Sequence, residues 1–202
     1  LEFEDGTSKQ FELYDNIAEF IGNYEDAQDK KKEVKKPKGL EKFLGEWYTY
    51  LIMKIAIITD QHFGARNDSP HFLDYYEKFY RDTFFPCLDN NGITTVLILG
   101  DTFDRRKYIN FYSLKRAKEM FFDEMAKRNL TVYMLAGNHD TYFKNTNDVN
   151  SVDLLLNEYE NIHVIDSPQT IHLNYGEVGS DILMMPWICP ENYEQSMEEI
   201  KH

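Results

Sequence analysis

The chain has 202 residues, 42% hydrophobic and 15% aromatic, which suits one domain of ordinary size plus an appendage. A net charge of -13 excludes a global basic field, so any DNA contact must come from local Lys/Arg clusters and bound cations. Cys87 and Cys189 make neither a disulfide framework nor a zinc motif and fit a reducing cytosol, and there is no membrane-spanning apolar run and no signal-peptide pattern.

Residues 1–52 are expected to be a polar, largely disordered extension. Scattered aromatics (Phe3, Phe11, Tyr14, Phe20) precede a charged stretch from Glu25 to Gly39, which is broken by Pro37 and too poor in apolar residues to offset its ordering entropy. The cluster at 40–48, Leu-Glu-Lys-Phe-Leu-Gly-Glu-Trp-Tyr, has the form of a tethered docking peptide. It resembles the short C-terminal motif by which late sigma factors of tailed phages bind the sliding clamp; packing on the chain's own domain is the alternative. Met53-Lys54 ahead of an apolar strand looks like a protein start, so residues 1–52 are expected to be the tail of another reading frame.

From Met53 the rhythm is strand, loop, helix. A first strand ends at Thr59. A helix from His71 to about Asn90 carries Phe72, Tyr76, Phe79, Tyr80, Thr83 and Cys87 at helical spacing, with a kink expected at Pro86. A second strand runs through Thr94–Leu99. A second helix, Asn110 to Asn129, sets Leu114, Ala117, Phe121 and Met125 on one face. A third strand ends near Ala136, and a short helix opens near Ser151, a candidate cap. Short strands follow at Ile162–Ile165, Thr170–Leu173 and Asp181–Met185. Repeated βαβ units call for an α/β fold with a mostly parallel sheet.

In such sheets ligands bind at the carboxyl ends of strands, and three strand ends here carry metal-ligand chemistry. Asp60-Gln61-His62 can turn a carboxylate and an imidazole onto one cation, since alternate residues of extended chain point the same way. That donor pair suits Mn, Fe or Zn better than Ca. Gly100-Asp101 supplies a second carboxylate, read as a bridge between two metal ions, and Asp104 is an outer partner or loop cap. In Gly137-Asn138-His139-Asp140, the Asn138 carbonyl is an unusual and therefore informative ligand. His139 has the chemistry to protonate a leaving alkoxide or to hold a phosphate, and Asp140 to orient and charge its imidazole. Each motif alone also makes a good turn; three in order, each after an apolar strand, are poorly explained as turns.

Asp60-x-His62, Gly100-Asp101-x-x-Asp104 and Gly137-Asn138-His139-Asp140 resemble the first three motifs of the calcineurin-like metallophosphoesterase superfamily. Within it they look most like the SbcD-type DNA repair nucleases, which include the phage recombination endonuclease subunit. Arg105-Arg106-Lys107 and Met184-Met185-Pro186-Trp187 add to that match. The resemblance covers Met53 to about Ile188 and implies two facing sheets flanked by helices. It implies two divalent ions, usually Mn2+ with Mg2+ as the alternative: Asp60 and His62 hold the first, Asp101 bridges and Asn138 holds the second, with His139 as general acid or transition-state stabiliser. The reaction it implies is hydrolysis of DNA phosphodiesters, with an SMC-like ATPase as the expected partner and a second copy of the chain as a further candidate partner. A phage-encoded chain would work in the host cytoplasm. Arg105, Arg106 and Lys107 are expected to contact DNA phosphates.

The superfamily completes its site with Gly-His and Gly-His-x-His, and no glycine in this chain precedes a histidine. His163 and His172 alternate with apolar neighbours as ordinary strand residues do. Residues 53–202 are therefore expected to be the N-terminal part of such a domain, inactive alone. Two other readings compete: a phosphatase or cyclic-nucleotide phosphodiesterase on the same scaffold, and a non-catalytic clamp-tethered fragment.

Overall fold

The computed structural model describes residues 54–175 and 178–201. The chain divides into two units, Leu1–Thr49 and Tyr50–His202, and the described residues belong to the second. The extension expected at 1–52 and the docking cluster at 40–48 lie outside the described residues.

Four short strands, β1 (Ile55–Ile58), β2 (Thr95–Ile98), β3 (Thr131–Leu135) and β4 (Ile162–Ile165), pair in sequence order and all in parallel. Each is rich in β-branched and apolar residues, as parallel strands buried between layers are. The period of two sorts their side chains cleanly. Val96, Ile98, Val132 and Met134 face a core built with the helices, whereas Leu97, Leu135 and Ile165 face the opposite side. Right-handed crossovers that all advance in one direction keep their helices on one face.

Those helices are α1 (Pro70–Phe79) and α2 (Phe85–Asn91) between β1 and β2, α3 (Phe111–Ala117) and α4 (Asp123–Lys127) between β2 and β3, and α5 (Ser151–Leu156) before β4. The expected long helices are each interrupted by a π turn, at Tyr80–Phe84 and Lys118–Phe122. A π turn holds an extra residue inside an otherwise continuous helix. The two widened turns meet, with the Tyr80 and Phe121 rings 4.5 Å apart. Pro86 follows directly on the first π turn, with Phe84 and Phe85 before it both helical, so the irregularity it brings falls inside the helix and not at its end. Ala117, Phe121 and Met125 are wholly buried, as the periodicity predicts, and Leu114 is half-buried against the same core. The α5 cap is Asn150, whose side chain accepts the Asp153 N–H at 2.8 Å, and not Ser151, which is the first helical residue.

The second layer differs from expectation in extent. The two strands read at Thr170–Leu173 and Asp181–Met185 are longer, β5 (Gln169–Tyr175) and β6 (Val178–Met184), and form one antiparallel hairpin. Ile171, Leu173 and Met184 pack on Leu97, Leu135 and Ile165, so the hairpin covers the β2–β4 part of the sheet face that the helices leave open, while Ile57 of β1 stays 59% exposed. Among the described residues this hairpin is the second sheet. A last helix, α6 (Tyr193–Glu199), follows it.

Phe121 touches the rings of Phe63, Tyr80, Phe84, Phe85 and Phe122. Phe121→Ala should therefore lower stability by about 3–5 kcal/mol, measured by urea unfolding under circular dichroism. A loss below about 1 kcal/mol would show that the site collapses freely and that the aromatic cluster is not the centre of the core.

Candidate metal centre

The loops that leave β1, β2 and β3 lie side by side because the parallel ladder continues past the strands. Beyond Leu99, the N–H groups of Asp60, His62 and Phe63 donate to the carbonyls of Gly100, Asp101 and Thr102 at 3.1, 3.0 and 2.8 Å, and Asp104 N–H returns to Phe63 O at 3.1 Å. The first two motifs are thus zipped together by backbone. The third is brought in by close approach: a Cβ on Gly100 would stand 2.8 Å from Gly137 Cα, and one on Gly137 would collide with Asp101 N and Oδ1. Only glycine permits this contact at both positions.

Asp60, His62 and Asp101 all carry positive φ, at 53°, 46° and 52°. That region is sparsely used by residues with a side chain, though Asp and His tolerate it better than most. The turns it makes bring the donors together. His62 Nε2 lies 3.6 Å from Asp60 Oδ1 and 3.9 Å from Asp101 Oδ2, and one donor atom from each of the three residues falls within 4.8 Å of the others. Thr59 Oγ1 donates to Asp60 Oδ2 at 2.7 Å and steadies that carboxylate. Ligands about 2.0–2.2 Å from a cation and at right angles stand roughly 3 Å apart, so a small closure suffices. Oxygen and imidazole donors around two negative charges fit a divalent transition metal. Asn138 faces the same cleft, a space of about 220 Å³ that Asp60, Asp101, Gly137 and Trp187 also line.

His139 stands edge-on to His62, with ring centroids 4.9 Å apart at 87°. Its Nδ1 lies 2.7 Å from the Asp104 carbonyl oxygen. A carbonyl only accepts, so Nδ1 carries the proton and Nε2 is turned free of that bond. Asp104 acts here through its backbone, while its carboxylate stands 3.9 Å from His62 Nδ1. The sequence expectation for Asp140 is not met. Its buried carboxylate accepts from the N–H groups of Phe103 (3.1 Å), Thr102 (3.3 Å) and Gly137 (2.9 Å), not from the His139 ring. Burial pushes the Asp140 carboxyl above its ordinary range, against the downward pull of those three donors. In return, Asp101 Oδ1 accepts the His139 N–H at 2.8 Å.

The expected basic cluster divides. Arg105 is committed within the chain: Nη1 holds Asp68 Oδ2 at 2.5 Å and Nη2 holds Asn67 Oδ1 at 3.0 Å. It closes a left-handed turn in which Arg66, Asn67 and Asp68 all have positive φ, and Ser113 Oγ donates to the same Asp68 carboxylate at 2.8 Å. Sequence reasoning missed this turn; Gly64 followed by Asn67 and Asp68, residues that favour left-handed backbone, is the signal it offered. Arg106 lies over the Trp187 ring and Lys107 over the Tyr142 ring. His163 and His172 stand apart from the centre, the first against Tyr133 and the second paired with Asp181 on the hairpin.

A family model described as calcineurin-like phosphoesterase matches residues 53–200. Exonuclease subunit 1 of Enterobacteria phage T4 is 32% identical over 152 residues, 74% of this chain and 42% of the phage protein, so the chain spans less than half the length of that relative. Among solved structures, nuclease MPE of Pseudomonas putida is 20% identical with a TM-score of 0.35, covering 59% of this chain and 50% of that one, a likeness too slight to bear on the fold.

Asp140→Asn sets an amide NH2 against a backbone donor. It should lower stability by about 1–3 kcal/mol, read by thermal unfolding, and weaken manganese binding by letting the Gly137 loop drift. An unchanged melting temperature would show that the carboxylate does not clamp the loops.

Proposed function

Because the chain belongs to the calcineurin-like phosphoesterase family, we propose that it is the metal-binding part of a DNA nuclease subunit that hydrolyses phosphodiester bonds in recombination or repair. The observation that carries this reading is the convergence of Asp60, His62 and Asp101 donors, with Asn138 and His139 beside them, at the ends of three parallel strands. The name of the phage relative, an exonuclease subunit, supports a nucleic acid as the substrate.

Asp60, His62 and Asp101 would hold one divalent ion, manganese or magnesium, and Asp101 with Asn138 a second. Bound divalent cations would supply Lewis-acid polarisation of the phosphoryl oxygens. The chain's own work is positioning. The zipped loops fix Asp60 and His62 against Asp101. The Asp104 carbonyl holds His139 with Nδ1 protonated, so an imidazolium would present its Nε2 proton to a leaving oxygen in the cleft. Asp140 keeps the third loop in register with the second by accepting the N–H groups of Thr102, Phe103 and Gly137. Lys107 and Arg106 would meet DNA phosphates, while Arg105 supports the left-handed turn. An SMC-like ATPase is the partner that would govern access to DNA ends. A second copy of the chain is a further partner in this reading.

Among the described residues the donors complete one ion better than two. The chain should bind one manganese with useful affinity and leave linear duplex DNA uncut, tested by calorimetry beside a nuclease assay. Two tight ions with robust cleavage would contradict this donor count. Cleavage of small phosphoesters in preference to DNA would move the reading to a phosphatase or cyclic-nucleotide phosphodiesterase. Clamp affinity that vanishes with residues 40–48, without hydrolysis, would favour the tethered fragment.

Where cleavage is measurable, His139→Ala should slow it by about 100- to 10,000-fold and leave manganese affinity near its starting value. Loss of a manganese site in that variant would make His139 a ligand.

A further inference from the structure

Trp187 is held as a wall of the metal cleft. Its N–H donates to Ala136 O at 2.9 Å, and its carbonyl accepts from Asn147 Nδ2 at 2.9 Å and Asn192 Nδ2 at 3.1 Å. Backbone pinned from both sides fixes the point from which the indole extends, and the half-buried residue lines the cleft with Asp60, Asp101 and Asn138.

Arg106 lies on that ring, its guanidinium carbon 4.8 Å from the centroid. Its Nη1 reaches Thr141 Oγ1 at 3.5 Å, and the same hydroxyl donates to Asn138 O at 3.4 Å, which ties the arginine to the third loop. Arg81, Arg105, Arg116 and Arg128 each hold a carboxylate, whereas Arg66, away from the cleft, lies over the Phe72 ring. Among the described residues Arg106 has none within 4.0 Å, although the chain carries 35 acidic residues against 22 basic ones. A guanidinium kept on an aromatic face, beside a phosphodiester cleft and without a counter-ion, retains its donors for an anion.

We propose that Arg106 and Trp187 form the nucleotide-recognition element of the cleft, Trp187 receiving a base next to the scissile bond and Arg106 a phosphate of the same strand. The inference rests on the DNA reading and adds how the site separates a nucleic acid from a bare phosphoester. An aromatic platform stacks any base, so the element is indifferent to sequence. The pair would favour a terminal or unpaired nucleotide, because a base inside a duplex has no free face to offer.

The chain has two tryptophans, so Trp47→Phe leaves Trp187 as the sole indole. In that background, with metal chelated, a short oligodeoxyadenylate should quench Trp187 emission, and deoxyribose 5-phosphate, which has no base, should not. Trp187→Leu should weaken oligonucleotide binding by roughly 5- to 150-fold, measured by fluorescence polarisation. Trp187→Phe, which keeps a ring, should stay close to the parent. Arg106→Lys should also weaken binding, since an ammonium neither stacks nor makes a two-pronged phosphate contact. If Trp187→Leu fails to fold, the emission titration and Arg106→Lys decide the matter. Oligonucleotide binding with unaltered Trp187 emission, or equal quenching by the sugar phosphate, would overturn the proposal and leave the DNA reading standing. Absence of oligonucleotide binding, with or without manganese, would overturn both.

Discussion

Two carboxylates exchanged between neighbouring loops hold the strand ends together. Asp140, from the third loop, accepts N–H groups of Thr102 and Phe103 in the second and of Gly137 in its own. Asp101, from the second loop, accepts the N–H of His139 in the third. Asp101 therefore belongs both to the clamp and to the candidate ligand set, one oxygen serving each. The ladder that zips Asp60 and His62 onto Gly100 and Asp101 adds the first loop to the same body.

The clamp has a backbone cost to offset. Positive φ at Asp60, His62 and Asp101 costs on the order of 1–3 kcal/mol at each residue. Hydrogen bonds to a charged group each contribute roughly 1.5–3 kcal/mol, and the two carboxylates accept four of them. The strain and the clamp are thus of similar size, so the site keeps its shape only while the loops stay together. A bound cation would add to the clamp by drawing Asp60, His62 and Asp101 inward. The glycines at 100 and 137 follow from the same constraint, since a side chain at either would push the loops apart.

Much of this was legible in the sequence because it is written in local patterns. Apolar β-branched runs ending in Asp-x-His, Gly-Asp and Gly-Asn-His named the strands, the parallel sheet and the loops that converge. The helical face of Ala117, Phe121 and Met125 was readable from spacing. The π turns were not, because an extra residue in a helix leaves the periodicity nearly intact on both sides. Asp140 was misassigned to His139 because adjacency in sequence suggested a partner, whereas in the fold its carboxylate turns toward the neighbouring loop. Arg105 looked like a DNA contact as one of three consecutive cations; its partner Asp68 lies 37 residues earlier and comes near only when the left-handed turn folds back. The hairpin β5–β6 was visible as two strands, but its pairing and its seat on the sheet depend on contacts with Leu97, Leu135 and Ile165.

The central claim, that these loops build a cation site around Asp101, is tested most directly by anomalous diffraction from crystals grown with manganese. A manganese peak among Asp60 oxygen, His62 Nε2 and an Asp101 oxygen, each about 2.0–2.2 Å from the ion, is the predicted result. A crystal with the same loop geometry whose manganese lies elsewhere, or that takes up none at saturating concentration, would contradict the account.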